Sequence, residues 1–296
     1  MLSPVYNGHN LIFVVGSPRS GTTWLQRLLA AHPSVRTGQE SGLFDSYVGP
    51  QLRAWRRDLD PATSGRSAVG MGCYLREEEF LDLLRGYMLR LLEPMVGRLA
   101  PGQLFLEKTP SHALFIPEIM ELLPQSRIIH ILRDARDVSA SLLAAAKSWG
   151  SYWAPGHPRG AAGMWVDHVR AARAAAQRLP HAQFLEVRYE DMYGDTRRVL
   201  RRTLSFLGLQ WSDEELGRAV TGNRPELARQ TGGTAIEVGG EFRSRGTETL
   251  REPDGFIRRA GTQTWRRDLS LRDRLWVWLV ARKTMAEVGY RWSLPI

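Results

Sequence analysis

The stretch Leu11-Ile12-Phe13-Val14-Val15-Gly16-Ser17-Pro18-Arg19-Ser20-Gly21-Thr22-Thr23-Trp24 decides the fold. Leu11–Val15 is a continuous apolar, β-branched run, the pattern of a strand buried on both faces. Gly16 to Gly21 is a glycine- and hydroxyl-rich turn. From Thr23 to Ala31, Trp24, Leu25, Leu28 and Leu29 fall on one helical stripe that His32-Pro33 ends. The unit is strand, glycine loop, helix. Such a loop curls its N–H groups toward an anion, and the helix N-terminus adds its positive dipole.

Gly16 and Gly21 have the spacing of the nucleotide-binding G-x-x-x-x-G-K-[ST] loop, but Thr22 stands where the lysine belongs. The cation has moved into the loop as Arg19. Arg127–Leu132 is the clearest central strand, and it ends in another cation, Arg133. No acidic residue is read at a strand end as a Mg²⁺ ligand, which a nucleoside-triphosphate enzyme needs. The site is therefore expected to bind an anion through protein cations and no metal. A Mg-ATP-dependent P-loop kinase is the rival enzyme.

Outward from this unit, strands alternate with helices. Strands are expected at Val35–Arg36, Gln103–Leu106 and Phe184–Val187. Helices are expected over Glu77–Leu99, Ile116–Leu123, Asp134–Ala146, Gly163–Leu179, two within 196–220, and Leu271–Glu287. Residues 45–70 read as irregular, with Asp60-Pro61 and Ser64-Gly65 as breakers. The reading is an α/β fold: P-loop-like, three-layered, with a central mainly parallel sheet flanked by helices. The 296 residues are taken as a single domain, 1–296. The glycine-rich stretch at about 221–264 is expected to be a lid or flap. Ligands of such sheets bind beyond the carboxyl ends of the strands, so Gly16–Trp24, Glu107–Pro110, Arg133 and Tyr189 carry the functional argument.

Composition narrows the class further. The chain is 43% hydrophobic and 24% charged, ordinary for a globular protein. Its net charge of +9 favours anionic ligands, but the basic residues are scattered in pairs such as Arg197-Arg198. A non-enzymatic protein that binds an anionic ligand or nucleic acid is the rival from another class, but no nucleic-acid motif accompanies these residues, so nucleic acid is not an expected partner. One cysteine, Cys73, makes no intrachain disulfide and is read as a buried or incidental thiol. The polar Met1–Asn10 does not read as a signal peptide, and no apolar run approaches the roughly 20 residues of a bilayer span. A cytoplasmic, reducing location is the expectation.

Pro18-Arg19-Ser20-Gly21-Thr22-Thr23-Trp24 resembles throughout the P-[KR]-S-G-T-T-W motif of sulfotransferases that use 3′-phosphoadenosine 5′-phosphosulfate (PAPS). The resemblance implies that Arg19, Ser20, Gly21, Thr22 and Thr23 hold the 5′-phosphosulfate, and that Trp24 contacts the adenine. Arg133 followed eight residues later by Ser141 has the form of the family's second motif, which binds the 3′-phosphate. A guanidinium suits that bidentate task. Arg258-Arg259-Ala260-Gly261 with Trp265-Arg266 resembles the R-K-G…W-K element that wraps the same phosphate, with Ala260 replacing the family glycine. Tyr189-Glu190-Asp191 resembles the Y-E-D segment, whose tyrosine contacts adenine. The matches span residues 11 to 267.

The resemblance implies transfer of a sulfuryl group from PAPS to a hydroxyl acceptor by in-line displacement, leaving adenosine 3′,5′-bisphosphate (PAP). The first choice of base is Glu40. Ala31–Glu40 resembles A-H-P-x-V-R-x-G-E-E of the tyrosylprotein-type enzymes, and Arg19 to Glu40 is the family's distance of 21 residues; Gln39 replaces the first glutamate. The cytosolic small-molecule type has a histidine in K-T-H, where this chain has Pro110 after Lys108-Thr109. His112 stands two residues on. Glu107, beside Lys108 as in the F-E-K-S of the heparan N-sulfating type, is the second candidate base. Lys108 and Arg19 would stabilise the leaving oxygen. Trp149, Tyr152, Trp153 and residues 221–257 are open between an acceptor pocket and plain core or loop. Small-molecule, lipid or glycan hydroxyls and peptide tyrosine all stay open as acceptors.

Overall fold

The computed structural model describes residues 2, 3, 5–60, 70–224 and 261–291. Most of the glycine-rich stretch, and with it Arg258, Arg259 and Ala260, lies outside the described residues.

The centre is a five-stranded sheet of β1 (Leu11–Gly16), β2 (Val35–Thr37), β3 (Leu104–Glu107), β4 (Arg127–Leu132) and β5 (Phe184–Arg188), ordered β2-β3-β1-β4-β5. Every pairing is parallel. Every residue of β1 is buried because side chains alternate between two cores. Leu11, Phe13 and Val15 enter one core with α2 (Gly49–Leu59), α3 (Glu77–Val96) and α4 (Ile116–Leu122). Ile12 and Val14 enter the other with α1 (Thr22–Ala30), α8 (Thr196–Phe206) and α9 (Asp213–Gly222). A third cluster joins α5 (Ala135–Ala146) and α6 (Pro158–Ala176) to α10 (Trp265–Asp268) and α11 (Leu271–Glu287). A short helix, α7 (Tyr189–Gly194), follows β5 directly. The α/β class and the parallel sheet with flanking helices are as the sequence implied.

The stretch 45–70 is not irregular as far as it is described. Leu43–Val48 is a π-helical turn that runs into α2. Leu43, Phe44, Val48, Leu52 and Trp55 form its buried stripe. α2 starts at Gly49, and Pro50 sits in its first turn, where no N–H is required of it. The same rule extends α6 back to Pro158, five residues before the expected start, with His157 capping the Arg159 N–H at 3.1 Å. Cys73 is a free, exposed thiol, so the buried alternative of the sequence reading does not hold. Among the described residues no helix is long and apolar enough to cross a membrane.

Candidate active site

The sheet order sets the layout. Residues that leave the carboxyl ends of the strands stand in a row: Glu40 beyond β2, Lys108 after β3, the Gly16–Gly21 loop after β1, Arg133 after β4 and Tyr189 after β5.

The loop is drawn tight by two left-handed residues, Arg19 (φ 74°) and Gly21 (φ 101°). At Gly21 a Cβ would lie 2.5 Å from the Tyr189 ring, so glycine is required by both backbone and space. Gly21 begins α1 without a side-chain cap, and the first turn holds no acidic residue. The helix therefore presents its N–H groups and dipole to whatever sits in the loop. Thr22 is buried and Thr23 half-buried there. The Ser20 hydroxyl is buried without a hydrogen-bond partner among the described residues.

Arg19 spans the loop toward α5. Its Nε donates to Ser141 Oγ at 3.0 Å, and its guanidinium lies 5.3 Å from the Trp149 ring centroid. Arg133 is buried beside it. Its terminal nitrogens donate to the carbonyls of Arg19 (3.1 Å) and Gly261 (2.9 Å), while its guanidinium rests 4.0 Å from the Tyr189 ring centroid. Its Nε is buried and unpartnered among the described residues. A buried cation with an idle donor is costly unless an anion completes it. Tyr189 accepts at its hydroxyl from Gly261 N (3.3 Å) and packs edge-on to Trp24 at 5.7 Å. Tyr193 stacks on Tyr189 at 6.3 Å. Burial pushes the Tyr189 hydroxyl pKa up, keeping it neutral.

On the other side of the loop, Lys108 Nζ donates to Glu40 Oε1. The lysine side chain is 5% exposed and the glutamate 48%, so a buried cation holds an open carboxylate at the site's mouth. Glu107 points the other way. It is the last residue of β3, an acidic strand end, yet its oxygens are already engaged. Oε1 accepts from Ser41 N (3.2 Å), Ser41 Oγ (2.7 Å) and Thr109 Oγ1 (2.6 Å), and Oε2 lies 2.9 Å from His112 Nδ1. Burial opposes its charge, but the facing His112 ring and the Thr109 and Ser41 hydroxyls hold its carboxyl below the ordinary glutamate range. His112 is fully buried and accepts the Phe44 N–H at Nε2 (3.0 Å). Trp149 and Trp153 pack together at 5.6 Å, and Tyr152 is exposed.

Three residues of this architecture escape a motif reading. Asp137 accepts from Gln263 N (2.8 Å), Thr264 Oγ1 (3.0 Å) and Trp265 N (3.0 Å), pinning the chain after Gly261 onto α5. It stands one helical turn before Ser141, a spacing that puts both on one face. Gln26 is a polar residue inside the apolar stripe of α1, and Ser41 is the neighbour of Glu40. Each was visible as an anomaly or a neighbour, but its partner was not.

Comparison with known proteins shows the family and the fold. Residues 11–213 match the model of the sulfotransferase family. A putative protein-tyrosine sulfotransferase of Caenorhabditis briggsae is 31% identical over 210 residues, 71% of this chain and 69% of that protein. The chain spans 41–59% of the length of four further protein-tyrosine sulfotransferases it matches. Two solved structures share the fold. The sulfotransferase domain of the Synechococcus PCC 7002 olefin synthase superposes with a TM-score of 0.57 at 21% identity, covering 99% of each chain. A mouse sulfotransferase complexed with PAP superposes with a TM-score of 0.59 at 15% identity, covering 96% of this chain and 88% of that one. With its glycine loop, its Arg133–Ser141 pair and a family match over more than half its length, the chain belongs to the sulfotransferase family.

Proposed function

We propose that the protein transfers a sulfuryl group from PAPS to a hydroxyl acceptor by in-line displacement. The observation that carries the reading is the pairing of an uncapped helix N-terminus with a buried Arg133 whose Nε has no partner among the described residues, along the carboxyl end of the sheet. Those are two separate anion grips, as a donor with a 5′-phosphosulfate and a 3′-phosphate requires. The PAP-bound mouse neighbour supports the same donor.

Arg19, Ser20, Thr22, Thr23 and the N–H groups of Gly21 and α1 would hold the phosphosulfate. Arg133 and Ser141, with Arg258, Arg259 and Ala260, would hold the 3′-phosphate. Trp24 and Tyr189 would flank the adenine. PAPS supplies the activated sulfuryl group. Glu40, open to the acceptor side, takes the acceptor's proton. Lys108 and Arg19 meet the negative charge that develops on the departing oxygen, and such fixed charges act most strongly where water is excluded. Glu107 fits the role of base poorly, because its Oε1 is occupied, its Oε2 is buried against His112 and its carboxyl is held acidic.

Isothermal titration decides the donor. PAP without added Mg²⁺ is expected to bind at least ~10-fold more tightly than Mg-ATP, about 1.4 kcal/mol. Equal or tighter binding of Mg-ATP would return the site to a kinase. For the acceptor, the names of the relatives support peptide tyrosine, while small-molecule, lipid and glycan hydroxyls are the other classes to compare in a screen with labelled PAPS. An exposed, unpaired Cys73 suits a reducing, cytoplasmic setting.

A further inference from the structure

We propose that Glu107 is a positioning residue that sets Glu40 in place through Ser41. The proposal rests on the reading of Glu40 as the base.

Glu40 has little packing of its own: nearly half its side chain is exposed, and Lys108 is its hydrogen-bond partner among the described residues. Its place must come from the chain on either side. After it, three backbone N–H groups are fixed to the exit of β3. Ser41 N donates to Glu107 (3.2 Å), Gly42 N to Thr109 Oγ1 (3.2 Å) and Phe44 N to His112 Nε2 (3.0 Å). Before it, Gln26 Nε2 reaches from α1 to Thr37 Oγ1 (2.8 Å) and the Gly38 carbonyl (2.8 Å), and Thr37 Oγ1 donates to the Leu106 carbonyl (2.7 Å). The segment 37–44 is thus clamped at both ends, to α1 and to β3, with Glu40 in the span between.

Glu107 is the hub of the second clamp. Its Oε1 gathers the Ser41 N–H, the Ser41 hydroxyl and the Thr109 hydroxyl, and the same Thr109 oxygen accepts from Gly42. Because His112 Nε2 accepts a hydrogen bond, its Nδ1 carries the ring proton and faces Glu107 Oε2. A carboxylate offers only acceptors to this cluster; an amide in its place turns an N–H toward one of these donors. The last residue of β3 and the residue that follows it therefore divide the work. Lys108 holds the Glu40 carboxylate, and Glu107 holds the backbone that carries it. A displaced base loses rate without loss of donor binding, since an ångström of misplacement costs orders of magnitude in an oriented reaction.

The test compares Glu107→Gln, Ser41→Ala and Glu40→Gln, with 2-naphthol as probe acceptor and hydrogen exchange of segment 38–44 measured in parallel. For Glu107→Gln, kcat should fall by roughly 10- to 100-fold while PAP affinity stays within about twofold. Its residual rate should keep the wild-type acid limb of the pH profile, and exchange should quicken at Ser41, Gly42 and Phe44. Ser41→Ala, which leaves the Glu107–Thr109–His112 cluster intact, should show the same pattern more weakly and covers the case in which Glu107→Gln does not fold. Glu40→Gln alone should abolish the limb. Wild-type kcat and wild-type exchange in Ser41→Ala and Glu107→Gln would overturn the positioning role and leave Glu40 as base. Loss of the limb in Glu107→Gln but not in Glu40→Gln would instead overturn the reading of Glu40. Exchange reports the clamp even where 2-naphthol is a poor acceptor.

Discussion

The two sides of the Gly16–Gly21 loop are built by different means. On the β4–β5 side, Arg133 is buried, Tyr189 is buried beneath its guanidinium, and both reach Gly261. That side is held together by contacts among residues that follow β4 and β5 and the chain at Gly261. On the β2–β3 side, one open carboxylate leans on one buried lysine, and its placement is delegated to side chains that never face the site. A doubly anionic donor calls for fixed charge. A base calls for a solvent-accessible group that an acceptor can approach, and accessibility leaves little packing to orient it. The division predicts that mutations on one side should change binding and mutations on the other should change rate.

The largest effect expected is on rate. Glu40→Gln should cut turnover by roughly 10²- to 10⁴-fold, the usual contribution of a general base, with PAP affinity almost unchanged. Steady-state kinetics beside calorimetric PAP titration would read the two quantities separately. A variant that loses affinity and rate together would break the division between the sides.

Next is the loss of binding. Arg133→Ala removes a charge-assisted grip worth about 1.5–3 kcal/mol, so PAP should bind roughly 10- to 100-fold more weakly. The same change frees the carbonyls of Arg19 and Gly261, which Arg133 now satisfies, so some loss of thermal stability should accompany it. Unchanged PAP affinity would remove Arg133 from the donor site.

This contrast also explains what could be read from the sequence. Strand-end residues are legible because a buried apolar run announces where it stops, and whatever follows is at the sheet edge. Leu132 is followed by Arg133, and Val15-Gly16 by the loop, so both could be placed at the carboxyl end of the sheet. Glu107 was equally visible as a strand-end acid, yet its partners were not. Ser41 is 66 residues away, and the choice between a base and a tether depends on which face of β3 a side chain leaves from. Gln26 interrupts an apolar stripe for a contact with Gly38 that no periodicity reveals. The π-helical turn and α2 lie in a stretch that reads as irregular, although Val48, Leu52 and Trp55 form a buried stripe within it.

The smallest effect concerns the scaffold behind the donor side. Glu190 links the two strand-end turns: its Oε1 accepts the Asp134 N–H (3.0 Å) and its Oε2 accepts the Tyr290 hydroxyl (2.7 Å). Burial pushes its pKa above the usual carboxylate range, and these hydrogen bonds only partly oppose it. The folded protein therefore binds this proton more tightly than the unfolded chain, whose glutamates titrate near about 4.3. Stability contributed by the protonated form is present below that value and is lost as pH rises from it through the raised folded value. Glu190→Gln keeps an acceptor for Asp134 N and cannot ionise. Its denaturation midpoint should fall less than that of the wild type as pH increases from about 4 to 7. PAP affinity should stay near wild type, because the cations and the loop carry that binding. An unchanged pH slope would mean that Glu190 does not titrate differently in the fold. A clear loss of PAP affinity would mean that the donor side depends on this rear brace, and is less self-sufficient than the strand ends alone imply.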